Sequence, residues 1–348
     1  MARATELTLN AQTAYAQLLD AALAAAQLRS VADLPGSFAA KTVKGHKYWY
    51  YQYTEPSGKL RQVFVGPEGA PLKRLIESKG RPAVSAALAP LARSASALGC
   101  AEILPRHLAV LRRLAEYGFF QAGGVLVGTH AFLAYGNMLG VRWGEAARTQ
   151  DLDFAHAGRS VALALPSNLE VRTHDAIESL RMGFLPVAGL TAKAGATWLN
   201  PREPEFRLDF LTTLHRGGEA PYAHPKLHVT LQPLKFMEFS LEQVQQAVLF
   251  SGEGAVLANI PHPARYALHK LLVFAERKGA FQTKASKDLQ QAGMLLSVLK
   301  ERRATEVRDI WGDLLSRGKG WTARARQGLA ALDKAFPALA VRKWLKFR

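Results

Sequence analysis

Three aspartates set in short apolar stretches limit what this chain can fold into more than any other feature of it. Asp151 and Asp153 stand in Thr149-Gln150-Asp151-Leu152-Asp153-Phe154, and Asp209 stands in Phe206-Arg207-Leu208-Asp209-Phe210-Leu211. Both stretches read as strands. Side chains alternate across a strand, so Asp151 and Asp153 project from one face while Leu152 enters the core. Two carboxylates held side by side repel each other, and a divalent cation removes that repulsion. Hard Mg²⁺ prefers such oxygen ligands and completes its shell with water and phosphate oxygens. Asp209 stands alone in its apolar strand, where an ionised carboxylate is costly unless paired or bound to metal. Either it pairs with an arginine such as Arg207, or its strand neighbours that of Asp151. In the second case three carboxylates converge, the layout that holds two metal ions about 3.5–4 Å apart.

A second element lies upstream. Gly123-Gly124-Val125-Leu126-Val127-Gly128-Thr129 reads as a short apolar strand ending in a Gly-Thr turn, with a helix from about His130 to Leu139. Gly128 would let the backbone approach a phosphate chain closely. Thr129 would add a hydroxyl, and the following helix N-terminus favours an anion. Taken singly, a Gly-Thr turn is an ordinary helix cap and an Asp-x-Asp an ordinary solvated strand edge. The order and spacing of the turn, the Asp-x-Asp and the distal Asp make the three a candidate site.

With 348 residues, 49% of them hydrophobic, the chain is long enough for one large domain with appendages or for two domains. No stretch has the length and apolarity of a membrane span. Glu6 and Asp20 interrupt the Ala/Leu-rich N-terminus, which reads as an amphipathic helix rather than a signal peptide. Cys100 is the one cysteine and has no internal disulfide partner, which points to a reducing cytoplasm. The net charge of +17 is uneven. Residues 1–82 carry a net +5, residues 83–260 carry zero and residues 261–348 carry +12. Such flanks attract polyanions, nucleic acid foremost.

Charge and pattern divide the chain into an N-terminal helix with an aromatic, basic β-meander (1–82), a core (83–260) and a basic helical C-terminal region (261–348). In the meander, Phe38 to Val43, Lys47 to Tyr53 and Lys59 to Val65 read as strands, with turns at Lys44-Gly45 and Glu55–Gly58. Its tyrosines lie among lysines, a pattern that serves single-stranded nucleic acid by stacking and phosphate contact, although one face must pack on something. Arg302, Arg303, Arg308, Arg317, Lys319, Arg324 and their C-terminal neighbours are the stronger electrostatic candidate. His130, His156, His215, His262 and His269 make no spaced metal motif and read as ordinary, with His269 near the site through the helix that carries Lys270.

Gly128-Thr129, then Asp151-Leu152-Asp153, then Asp209 on an apolar strand resembles the DNA polymerase β-type nucleotidyltransferase superfamily. The whole chain resembles a bacterial branch of nucleotidyltransferase-fold proteins and, more distantly, the abortive-infection-type toxin nucleotidyltransferases. Those carry a Lys, an Arg and a Lys-Asp pair in a helical C-terminal region, and Lys270, Arg277 and Lys287-Asp288 stand in comparable order here. A hydroxyl residue other than the usual Ser, Thr129, follows Gly128. The longer gap at Arg142-Trp143-Gly144-Glu145 reads as a loop over the nucleotide.

The resemblance implies an α+β nucleotidyltransferase fold, a mixed sheet flanked by helices. It implies catalytic, metal-binding Asp151, Asp153 and Asp209, with Mg²⁺ or alternatively Mn²⁺ as cofactor. It implies that Gly128, Thr129, Lys270, Arg277 and Lys287 bind a nucleoside triphosphate such as ATP, and that Asp209 is the general base. With the basic flanks it makes RNA, tRNA in particular, the expected acceptor, and a toxin-like role would bring an antitoxin partner. Two alternatives stay open: nucleotidylation of a protein or small molecule, and a catalytically idle nucleic-acid-binding protein.

Overall fold

A computed structural model describes residues 4–27, 36–54, 59–79, 87–157, 171–188, 194–214, 218–277 and 282–345. The Glu55–Gly58 turn, His215, Lys346 and Arg348 lie outside them. The chain opens with β1 (Thr5–Glu6) and α1 (Leu9–Gln27). An antiparallel meander of β2 (Ser37–Val43), β3 (His46–Thr54) and β4 (Leu60–Pro67) follows, within a residue or two of the expected strands. Next come α2 (Ala70–Ser78), α3 (Leu88–Ala97), α4 (Pro105–Glu116), β5 (Val125–Leu126), α5 (Gly128–Met138), β6 (Val141–Arg142) and β7 (Leu152–His156). The middle continues through α6 (Thr173–Ser179), β8 (Leu185–Ala188), β9 (Ala194–Asn200), β10 (Glu203–Thr213), β11 (Tyr222–His224), β12 (Val229–Leu234) and α7 (Met237–Leu241). A hairpin of β13 (Val244–Ser251) and β14 (Gly254–Pro261) leads to α8 (Pro263–Glu276), α9 (Gln282–Arg302), α10 (Ala304–Ser316), α11 (Lys319–Ala335) and α12 (Val341–Trp344).

Seven strands form the central mixed sheet, in which β10 is the pivot. One edge of β10 pairs in parallel with β7, Leu208 opposite Leu152 and Asp209 opposite Asp153. The other edge is divided. Its first half pairs antiparallel with β9, Asp209 opposite Thr197, and its last residues pair in parallel with β12, Leu211 opposite Gln232. β5 closes the far side of β7 with Leu126 opposite Phe154. Alternation along β10 sends Phe206, Leu208 and Phe210 into the core and leaves Arg207 and Asp209 on the other face. Phe210 stacks on Phe154 at 5.2 Å between ring centroids, and Phe119 meets both rings edge-on. This is the expected mixed α/β architecture with helices against the sheet.

One hydrophobic cluster runs from Ile103 to Leu345 and joins the sheet to α8, α9, α10 and α11. A second joins α1 and α3 to the β13–β14 hairpin, with Ala11, Leu18, Ala92 and Val248 fully enclosed. β1 pairs with β6, a contact that residue pattern does not disclose. Two local expectations change. α5 begins at Gly128, two residues before the expected start, so Gly128 and Thr129 form its first turn. Arg142–Glu145 is not the open loop expected there. Trp143 is buried, stacks on Phe132 at 4.6 Å and donates its indole N–H to the Phe132 carbonyl at 2.6 Å. The Arg142 guanidinium bonds the Gly99 carbonyl. A large ring gains more from burial than its polar neighbours lose. Among the described residues no helix is long and apolar enough to cross a membrane.

Helices α8 and α11 approach closely because residue 328 is Gly. A Cβ there would stand 2.8 Å from the Leu271 Cβ and press on the Leu271 carbonyl. An ordinary Gly→Ala change inside a helix stabilises by about 1 kcal/mol. Gly328→Ala is expected to reverse that sign and cost about 1–3 kcal/mol by overpacking, read as a lower urea midpoint with unchanged slope.

Candidate active site

The β7–β10 register makes Asp153 and Asp209 a cross-strand pair, and Asp151, two residues before Asp153, faces the same side. One carboxylate oxygen from each of the three lies within 4.8 Å of the others. Gly128 lies directly over Asp153. Its φ of +63° belongs to the left-handed region, and a Cβ would overlap the Asp153 carboxylate. Two independent constraints therefore require glycine there. The Val127 N–H donates to the Asp153 carbonyl at 2.9 Å, which fixes the turn to β7 and brings the first turn of α5 against the acids.

Electrostatics separate Asp153 from Asp151. Loss of water, then the charges of Asp151 and Asp209, push the Asp153 carboxyl up to about 7. Burial also acts against Asp151, but the Thr149 hydroxyl and the Arg207 guanidinium outweigh it and hold this carboxyl below its ordinary value. Arg207 spans the group: its Nη2 lies 3.3 Å from Asp151 Oδ2 and its Nε 3.1 Å from Asp209 Oδ2. The Thr197 hydroxyl donates to Asp209 Oδ1 at 2.6 Å. Both arrangements anticipated for Asp209 therefore coexist, pairing with Arg207 and convergence with the other acids. One monovalent guanidinium among three carboxylates leaves excess negative charge, which Asp153 relieves by holding a proton. Hard oxygen donors crowded to this degree suit a divalent cation such as Mg²⁺.

A cationic group stands opposite. Lys270 on α8 pairs with buried Asp288 at 2.5 Å, and Arg277, just past α8, pairs with its other oxygen at 2.7 Å. Lys287 donates to the Arg148 carbonyl at 2.9 Å, and burial, opposed by the charge of Asp151, pulls its ammonium below its ordinary value. Lys270 and Lys284 both favour the charged form of Asp153. Thr129 is buried, and its hydroxyl accepts from Gln291 Nε2 at 3.3 Å. The same Gln291 amide donates to the Ala146 carbonyl at 3.1 Å. Tyr266 shares its hydroxyl proton between the Gly128 carbonyl, 2.9 Å away, and Gln291 Oε1, 3.0 Å away.

His130 lies buried under the Asp151 segment, its Nε2 2.9 Å from His107 Nδ1, and burial first, then the neighbouring imidazole, drives it down to about 3. His269 is also buried, close to Lys270 and Asp288 rather than to the carboxylate trio. Residue pattern did not point to Thr197, Tyr266 or Gln291. Each reaches the site only through long-range packing, and the one local signal, Gln290-Gln291 just before the apolar run Ala292–Leu296, is faint.

The sequence model of a family described as Nucleotidyltransferase matches residues 106–316 of this chain. The chain belongs to that nucleotidyltransferase family, and the matched span contains the acids, the Gly128 turn and the cationic group. Among solved structures, an antigenic nucleotidyltransferase-like protein from Paracoccidioides brasiliensis is 13% identical, with 65% of this chain and 95% of that one covered and a TM-score of 0.32. No curated protein matches the chain.

The raised Asp153 carboxyl has a measurable consequence. The folded state retains this proton between about pH 4 and about pH 7, where the unfolded chain has lost it. Protons bound in excess by the folded state mean that stability falls as pH rises through this window. Without metal, the thermal midpoint is expected to be lower at pH 8 than at pH 6 after correction for the remaining groups. Asp153→Asn is expected to flatten that slope and raise the midpoint at pH 8 by about 2–4 °C. Scanning calorimetry across pH 5–8 in a chelating buffer checks both.

Proposed function

We propose that this chain moves a nucleoside monophosphate from a nucleoside triphosphate to an acceptor hydroxyl, with Asp151, Asp153 and Asp209 as its metal-binding carboxylates. The observation that carries this reading is the rung that sets Asp209 opposite Asp153, beneath a glycine that only a close-packed turn requires. A divalent metal, Mg²⁺ or Mn²⁺, held there would offset phosphate charge and acidify the acceptor hydroxyl.

The remaining roles fall to the protein. Gly128 brings bare backbone and the α5 N-terminus against the triphosphate. Thr129 contributes its position in that turn, its hydroxyl being engaged by Gln291. Lys270, Arg277 and Lys287 offset the charge that leaves with pyrophosphate, and Asp288 aims the first two. Asp209 takes the proton as the acceptor oxygen attacks the α-phosphorus. The bond from that phosphorus to the bridging oxygen breaks, and pyrophosphate departs with the electron pair. Arg207 releases Asp209 Oδ2 for this step and remains beside Asp151.

RNA, and tRNA within it, is the acceptor that net charge favours. The support moves away from the C-terminal helices. Arg317 pairs with Glu242 and Asp313, Arg324 with Glu276 and Arg302 with Glu6, so much of that charge is already answered inside the fold. The N-terminal meander carries the alternative. Nucleotidylation of a protein uses the same chemistry and differs only in the acceptor.

The test incubates the purified chain with Mg²⁺, each α-labelled nucleoside triphosphate in turn, and total RNA or extract protein. Label is expected in RNA. Asp151→Asn with Asp153→Asn, or excess chelator, is expected to lower incorporation by more than about 100-fold. Label in protein alone reassigns the acceptor. No label with any triphosphate sinks the transferase reading.

A further inference from the structure

The β2–β3–β4 meander has two unlike faces. On one, Tyr51 is buried: the Phe38 ring meets it edge-on at 5.1 Å, and Lys79 donates to its hydroxyl at 3.0 Å from the end of α2. This is the structural face. The other is open and aromatic. Register places Tyr50 opposite Phe64 and Tyr48 opposite Lys41. The Phe64 ring lies 5.6 Å from Tyr50 and 6.0 Å from Tyr48, and it is 56% exposed. The Lys41 ammonium stands 4.9 Å over the Tyr50 ring and bonds Gln62 at 2.5 Å, and Gln62 in turn donates to Gln52 at 3.0 Å.

An aromatic face three rings wide, with Phe64 exposed and Tyr48 and Tyr50 half-buried, is unfavourable in water unless something covers it. Its surroundings name the occupant. Among the described residues from 36 to 79 there are eight Lys and Arg and two Glu, so the covering partner is anionic. Rings flanked by an ammonium and two carboxamides match an anion that carries flat π-faces and base edges. Alternate side chains along a strand stand about 6.6 Å apart, twice the roughly 3.4 Å rise of stacked bases. Bases laid on Tyr48 and Tyr50 must therefore be unstacked from each other, which a single strand allows and a duplex does not.

We infer that this face is a binding surface for single-stranded RNA. Tyr48, Tyr50 and Phe64 stack two or three splayed bases, Lys41 takes a phosphate, and Gln52 and Gln62 reach base edges. The inference deepens the RNA-acceptor reading by giving the acceptor a place to bind, and it stands apart from the carboxylate chemistry.

The experiment measures anisotropy of a fluorescein-labelled 12-nucleotide oligouridine against the full-length chain over 50–200 mM salt, with a 12-base-pair duplex as comparison. The single strand is expected to bind more tightly than the duplex. Phe64→Ala and Tyr50→Ala are each expected to weaken it about tenfold, and Phe64→Trp to keep it. Lys41→Gln is expected to reduce the slope of log affinity on log salt by about 0.7. Phe64 is mostly in solvent, so its truncation leaves folding intact, which circular dichroism checks. Wild-type-like affinity in both aromatic variants, equal binding of the duplex, or no binding by the wild type each overturns the inference. The Asp151→Asn, Asp153→Asn chain run alongside separates the two questions. It is expected to bind RNA normally while transferring no label, so failed binding and failed chemistry are read independently.

Discussion

Crowding of like charge on one rung of a parallel ladder is the constraint to which the rest of this molecule answers. Asp153 and Asp209 are neighbours because β7 and β10 pair in that register, and Asp151 joins them through strand alternation. Each surrounding feature relieves the crowding. Arg207 spans Asp151 and Asp209, Thr197 also donates to Asp209, and Asp153 retains a proton. Lys270, Lys284 and Lys287 supply positive potential from outside. A divalent cation at this position would relieve the same crowding.

The fold holds this charge by isolating it from its own core. Immediately behind the acids, Leu152, Phe154, Leu208 and Phe210 are fully enclosed, so the carboxylates sit on a rigid apolar floor. The C-terminal helices share that same core, and their cations are therefore carried on a body continuous with the sheet. Asp288 acts as a buried anchor here. Its oxygens hold one cation each, Lys270 and Arg277, and so fix both side chains to α9.

What was legible in the sequence follows from the range of the interaction that decides it. The period-two alternation of Asp151, Leu152 and Asp153 is a local property and reads directly. So do the meander turns at Lys44-Gly45 and the helices after Pro263. The parallel register of β7 with β10 is set by packing between segments more than fifty residues apart, so convergence of Asp209 could be posed but not read. Trp143 misled because its neighbours Arg142, Gly144 and Glu145 are those of a surface loop, while its own ring finds Phe132 from the core side. The C-terminal arginines were visible as charge, but their partners Glu242, Glu276 and Glu6 lie far away in sequence.

Gln291 ties the Gly128–Thr129 turn to α9 across 162 residues of chain. On the ribosome, that distance becomes time. At about 5–20 residues per second, the turn emerges roughly eight to thirty seconds before Gln291, and Asp209 roughly three to twelve seconds before Lys270. In that interval the nascent chain carries the acidic strands without the cations of α8 and α9. The cationic side of this group is thus made only after the strands that bear the acids.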